Sequence, residues 1–323
     1  MELTKDKLEA LFRKMLLVRA LEEKHDALLK EGRMQLMAHT GLGQEAVAIG
    51  VTGPLRKEDI LFGTHRGVGE YIGKGMTAKD IFAEFMGKKT GLCKGKGTLH
   101  LADRSVNIPP LVASLGSDFG MAVGTALASK MKKTDHVTMY YVGEGACNEG
   151  DFNPALCMAA LWKLPVVFAI AANQFCQRAY MTEHLPTPDV APRAAGYNIP
   201  YEIIDGQDIE VTYSATEKIV EQVRAGNGPF VIEYKTFRMG PHSSGDRGGY
   251  VRQEDVEEWA KRDPIDLCQR KLVDRGYMSV DDIDRVKIEV DKEIEQAVEY
   301  AFASPDPTAD DFIEDVYAHE GAR

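Results

Sequence analysis

An apolar run, HVTMYYV at 136–142, feeds a turn in which an acid stands between two glycines, Gly143-Glu144-Gly145. A helical stretch follows at about 152–163, then a second apolar run at 165–171 that leads to Asn173. Two buried strands joined through a helix must lie parallel, because only a long crossover returns the chain to the same sheet edge. YEIID (201–205), a helical 208–225 and PFVIEYKTF (229–237) repeat the alternation. The expected fold is therefore α/β, a doubly wound and mainly parallel sheet. Ligands in such sheets sit beyond the carboxyl ends of the strands. The loops expected there are 143–150, 173–188 and 239–252, joined by the turn after a short strand at 59–65. They bring Glu144, Asn173, His65, Arg66 and His242 toward one place.

The 323 residues support one large domain. We read a single α/β domain over 1–323, with a helical arm at 1–35 and a helical tail at 252–323. Helices are expected at 3–30, 77–86 and 120–133, the last rich in small residues that suit close packing on a sheet. Asp263-Pro264 reads as cap and first turn of another helix. A net charge of −11 argues against a nucleic-acid surface. No apolar run approaches the ~20 residues of a membrane span. The N-terminus reads as an amphipathic helix and not a signal peptide. Five cysteines without metal-site spacing point to reduced thiols in a cytoplasmic protein.

A carboxylate and a carboxamide at neighbouring strand ends form an oxygen set suited to a hard cation such as Mg²⁺, usually completed by phosphates. GEGACNEG also resembles a glycine-rich dinucleotide turn, but such a pattern alone is weak. Glu144 would meet the pyrophosphate there and repel it unless a cation lay between them. The glycines fit a phosphate turn, and the acid fits a phosphate bridged by a metal.

Gly143-Glu144-Gly145, then the 26 residues Ala146 to Ala171, then Ala172-Asn173, resembles the thiamine diphosphate fingerprint GDG–(about 26)–NN. The chain is similar throughout to the alpha subunits of two-subunit thiamine-dependent 2-oxo acid dehydrogenases of pyruvate, branched-chain and acetoin type. GQEAVAIGV (43–51), THRG (64–67), TGLCKGKG (90–97), MAALWKLPVVF (158–168), GNGPFVIEYKTFR (226–238), EEWAKRDPI (257–265) and EDVYA (314–318) carry the likeness. The resemblance implies thiamine diphosphate and Mg²⁺ as cofactors. Glu144, the Asn173 side chain and the Phe175 carbonyl would hold the metal. Arg66 and His242 would meet the diphosphate, with Gly143, Gly145 and Ala146 beside it. Ser114 and Leu115 would touch the aminopyrimidine. His65 and His242 would be the catalytic side chains, acting on a small-molecule substrate. A beta-type subunit would supply the pyrimidine-side Glu in an alpha2-beta2 heterotetramer, and a lipoyl-bearing acyltransferase would take the acyl group.

The chain departs from the family at several points. Ala172 replaces the first Asn of the NN pair and Ala171 a residue often charged. Pro154, Cys157, Val68 and Pro241 are unusual, and the loop GKGTLH is short. Two alternatives therefore stand beside the dehydrogenase: a two-subunit carboligase or acyloin-type enzyme outside a complex, and a degenerate, non-catalytic partner subunit. Blander readings apply elsewhere. Cys147 and Cys157 are expected to be buried helix-side residues, Lys94 and Lys96 to be solvated, and Ser243 and Ser244 to lie in an unmodified polar loop. His100 is left open.

Overall fold

The computed structural model describes residues 2–314. Its main sheet has five strands: β1 (Ile60–Phe62), β2 (Thr138–Gly143), β3 (Val166–Ala172), β6 (Tyr201–Asp205) and β7 (Phe230–Lys235). Phe175–Cys176 (β4) and Ala179–Tyr180 (β5) make a separate two-stranded hairpin directly after β3. The order in the main sheet is β1-β2-β3-β7-β6, and every neighbouring pair is parallel. This is the α/β, doubly wound parallel sheet expected from the alternation of apolar runs and helices. The first strand is shorter than the expected 59–65, and Thr64, His65 and Arg66 lie in the turn that follows it.

Strand residues alternate between two cores, as the pleat requires. Met139, Tyr141, Val167, Ala169 and Ile232 point into one. Tyr140, Val142, Val166, Phe168 and Ile170 point into the other. The first face is covered chiefly by α1 (Lys5–Lys30), α2 (Glu45–Thr52), α3 (Gly69–Lys74) and α4 (Ala78–Phe85). The second is covered by α5 (Phe119–Met131) and α6 (Phe152–Leu161). A short α7 (Met181–His184) follows the hairpin, and α8 (Ile209–Arg224) joins β6 to β7 over the first face. Beyond the sheet come α9 (Gln253–Ala260), α10 (Pro264–Asp274), α11 (Val280–Ala303) and α12 (Ala309–Ile313). Of the EDVYA segment only Glu314 lies within the described residues.

The helix starts follow local chemistry. Asp263 caps α10 by accepting from the Ile265 and Asp266 amides, with Pro264 in the first turn, where its missing N–H costs nothing. Thr77 and Asp80 form a reciprocal capping box on α4, as Ser279 and Asp282 do on α11. Two helices carry no periodic signal. All eight residues of α2 are buried, as are all six of α3, so neither shows an amphipathic stripe. In α5 the side chains of Phe119, Ala122, Val123 and Ala126 meet the core, while Gly120 and Gly124 face outward. Ala122 and Ala126 thus supply the small residues of the sheet-facing side, and the glycines lie away from it.

The KGKG loop folds around an acid. Glu84, fully buried on α4, accepts the amides of Cys93 (2.8 Å), Gly95 (3.1 Å) and Gly97 (2.6 Å). The C-terminal segment clamps the same loop: Lys88 pairs with Asp306, Lys89 with Asp311 and Lys94 with Glu314. The Lys96 ammonium donates to the Asp311 and Glu314 carbonyls. Lys94 and Lys96 are therefore tethers of the C-terminal segment and not freely solvated. Glu84→Ala would leave three amides without their acceptor, a loss of about 3 kcal/mol or more. Urea denaturation should show this drop, and hydrogen exchange should show faster exchange at 93–97. An unchanged midpoint with protected loop amides would refute this role.

Candidate functional site

A cavity of about 790 Å³ opens at the carboxyl ends of β1, β2 and β3, with His242 reaching it from the loop after β7. The parallel register pairs Gly143 of β2 with Ala171 of β3, which sets the turn after one strand beside the turn after the other. A Cβ on Gly145 would fall 2.6 Å from the Cys176 sulfur, so only glycine lets this turn lie against the β4–β5 hairpin.

Glu144 is fully buried. One carboxylate oxygen, Oε2, accepts the Asn173 amide at 3.2 Å. The other, Oε1, is buried without a hydrogen-bond partner. Burial pushes this carboxyl up to about 7, opposed by nearby backbone amides and the Arg66 charge. Asn173 ends β3. Its Oδ1 accepts the Phe175 amide at 3.1 Å, closing a turn that carries Gln174 through a left-handed φ of 74°. Its Nδ2 donates to Gln44 Oε1 at 3.1 Å. Among the described residues, no three His, Cys, Asp or Glu side chains converge on a metal-binding point. A cation at Glu144 would thus draw its other ligands from amide and carbonyl oxygens and from the bound anion, which is the donor set of a hard ion.

Arg66 is held beside them. Its Nη1 donates to the carbonyls of Thr40 (3.3 Å) and His242 (3.2 Å), and its Nη2 donates to His242 Nδ1 at 3.0 Å. That contact makes Nδ1 an acceptor and leaves the His242 ring proton on Nε2. His39 lies between the two expected histidines, its ring 4.5 Å from His65 and 4.6 Å from His242 between centroids. Its Nδ1 donates to the His242 carbonyl at 2.6 Å. His39 is the residue that sequence reasoning missed, because a lone histidine before GLGQEA carries no spacing signal. Burial, then neighbouring positive groups, lowers His65 to about 3 and His242 to about 4. Burial also lowers His39. The three imidazoles are neutral near pH 7.

The loops that carry these groups are anchored from behind. Glu22 accepts the amides of Gly41 (2.6 Å) and Val68 (3.2 Å) and is pushed up to about 8 by burial. Glu70 accepts the amide and hydroxyl of Thr64. The Tyr250 hydroxyl accepts from the His242 amide (2.7 Å) and Arg238 Nη2 (2.9 Å) and donates to Asp246 (3.0 Å). Arg238 is itself fully buried and lies 4.4 Å over the Phe175 ring.

The cavity wall includes His65, Arg66, Gly143, Gly145, Ala146, Asn173, Phe175 and His242, whereas the fully buried Glu144 is not part of it. Ser114 and Leu115 stand on its exposed rim. Of the unusual positions, Ala171 faces the cavity, whereas Ala172 points into the core under α5 and α6. Pro154 lies exposed in the first turn of α6, where a proline is tolerated. Cys147 is buried, in a short 3₁₀ turn. Cys157 is exposed, contrary to expectation, because it lies on the side of α6 away from the sheet. His100 is half-buried near His65. No helix among the described residues is long and apolar enough to cross a membrane.

Residues 13–310 match the family model described as dehydrogenase E1 component. The chain is 36% identical over 320 residues to the alpha subunit of acetoin:2,6-dichlorophenolindophenol oxidoreductase of Bacillus subtilis, covering 98% of this chain and 95% of that one. It is 32% identical to the protein of the same name from Cupriavidus necator, covering 98% and 95%. It is 30% identical to the pyruvate dehydrogenase E1 component subunit alpha of Rhizobium meliloti, covering 94% and 88%.

The depressed histidines predict an acid-sensitive fold. The unfolded chain takes up protons near 6.5, while folded His242 and His65 wait until about 4 and about 3. Their contribution is present above 6.5 and is lost as pH falls through that window. Denaturation midpoints should decline from pH 6.5 to 4, and His65→Gln should flatten part of that decline. An unaltered pH profile in the variant would contradict the assignment.

Proposed function

The chain belongs to the dehydrogenase E1 component family, and from that membership we propose that it is the alpha subunit of a thiamine diphosphate-dependent acetoin or 2-oxo acid dehydrogenase. The observation that carries the cofactor reading is the partnerless Oε1 of Glu144. A buried carboxylate oxygen without a partner costs stability, and a divalent cation compensates it directly. Glu144, the Asn173 carboxamide and the Phe175 carbonyl would hold Mg²⁺. Arg66 would clamp the diphosphate with its planar fork, beside the turn Gly143, Gly145 and Ala146. Ser114 and Leu115 would meet the aminopyrimidine at the rim. When bound, thiamine diphosphate supplies the carbon nucleophile and electron sink for cleaving a bond next to a carbonyl.

The chain's own part is positioning and proton handling. Arg66 keeps the His242 N–H on Nε2, from where it would donate a hydrogen bond to a substrate oxygen. His65 and His39 line the chamber as neutral groups, able to orient a substrate without adding charge. The rim at 113–117 and 148–151 is largely exposed, and exposed Met121, Leu161 and Trp162 extend this face along α5 and α6. A beta-type subunit covering this side and supplying the pyrimidine-side Glu would complete an alpha2-beta2 enzyme. In a dehydrogenase complex a lipoyl-bearing acyltransferase would then accept the acyl group. We place this assembly in the cytoplasm.

Calorimetry on the two-subunit assembly tests the reading. Thiamine diphosphate should bind only with Mg²⁺, and Glu144→Ala should weaken binding on the order of 100-fold. Reduction of 2,6-dichlorophenolindophenol across acetoin, pyruvate and branched 2-oxo acids would then select the substrate. Tight binding that ignores both Mg²⁺ and Glu144→Ala would overturn the proposal.

A further inference from the structure

Asn173 can serve a cation only through Oδ1, and a carboxamide can rotate to present Nδ2 instead. Two contacts decide between these states. The Phe175 amide donates to Oδ1 at 3.1 Å, which fixes the oxygen on that side. Nδ2 is then left to find an acceptor in a buried place, and Gln44 Oε1 supplies it at 3.1 Å. Asn173 and Gln44 are both almost wholly buried, so water does not substitute easily for either partner.

Gln44 is held rigidly enough for this role. Its amide donates to the Gly41 carbonyl at 2.9 Å, and its carbonyl accepts the Ala48 amide at the start of α2. The preceding Gly43, at φ +87°, is packed so tightly that a Cβ would lie 2.7 Å from Met239 and 3.0 Å from the Phe237 carbonyl. Thr236 Oγ1 donates to the Gly43 carbonyl, and the Met239 amide to that of Leu42. The turn before α2 is therefore pinned against the segment after β7, with the Gln44 side chain directed at the end of β3.

We infer that Gln44 is a positioning residue: by accepting from Asn173 Nδ2 it holds the Asn173 oxygen toward the cation site, an inference that rests on Glu144 and Asn173 being metal ligands. Outer partners that orient a metal ligand typically contribute 10–100-fold to affinity. Gln44 Nε2 is buried and has no partner among the described residues, so the acceptor end is the one with an assigned task.

The test measures Mn²⁺ affinity by electron paramagnetic resonance in the presence of thiamine diphosphate, with the assembled two-subunit protein. Gln44→Met keeps the length of the side chain and removes the acceptor, and should weaken Mn²⁺ binding at least about tenfold. Gln44→Glu keeps an acceptor and should bind within about threefold of the parent. Asn173→Asp has an oxygen in either orientation, so adding Gln44→Met to it should change affinity less than about threefold, a difference a double-mutant cycle resolves. Parent-like affinity in Gln44→Met would overturn the inference. So would an equal loss with and without Asn173→Asp, which a general folding defect would produce. Thermal melts identify variants that fail to fold. Mn²⁺ binding that survives Glu144→Ala and Asn173→Ala would instead overturn the metal-ligand reading beneath it.

Discussion

The structure turns on one buried acid. Glu144 leaves the end of β2 where the parallel register places it against the end of β3, and there it is removed from water with one oxygen unpaired. Four other deeply buried glutamates among the described residues have their oxygens met by amides or cations. Glu84 gathers three amides, Glu22 two, and Glu233 two amides and the Lys235 ammonium. Glu45 is met by Arg19 and the Gly43 amide. Those acids work as clamps on loops and helices. Glu144 differs in having one oxygen buried without a partner, as a metal-bridged anion site would require.

The clamps and the site belong to one arrangement. Glu22 and Glu70 tie down the turn that carries Arg66, Tyr250 ties down the loop that carries His242, and Gln44 reaches Asn173 from the start of α2. Arg66 then joins two of these loops by donating to the ring and carbonyl of His242. Four separate segments thus converge through directional bonds, so the groups around the cavity are held in place before any ligand arrives.

Much of this was legible in the sequence. The strand-helix-strand alternation around 136–171 and 201–237 determined a parallel sheet, and an acid and an amide at its strand ends marked the cavity. What stayed hidden has physical causes. The α2 and α3 helices are buried on all sides and show no amphipathic period. His39 reaches the site only through a bond to a carbonyl distant in sequence, which no local spacing encodes. Ala172 stood out as a departure from the NN pair, yet the strand pleat turns it into the core and away from the cavity. The KGKG loop looked like a solvated basic stretch because its organiser, Glu84, lies on the preceding helix.

The central claim is that Glu144 is completed by a cation shared with a diphosphate. Pulsed electron-nuclear double resonance of Mn²⁺ in the protein with thiamine diphosphate tests that sharing. The account predicts strong ³¹P couplings from directly coordinated diphosphate oxygens. Tightly bound Mn²⁺ without phosphorus coupling, with thiamine diphosphate also bound, would contradict it.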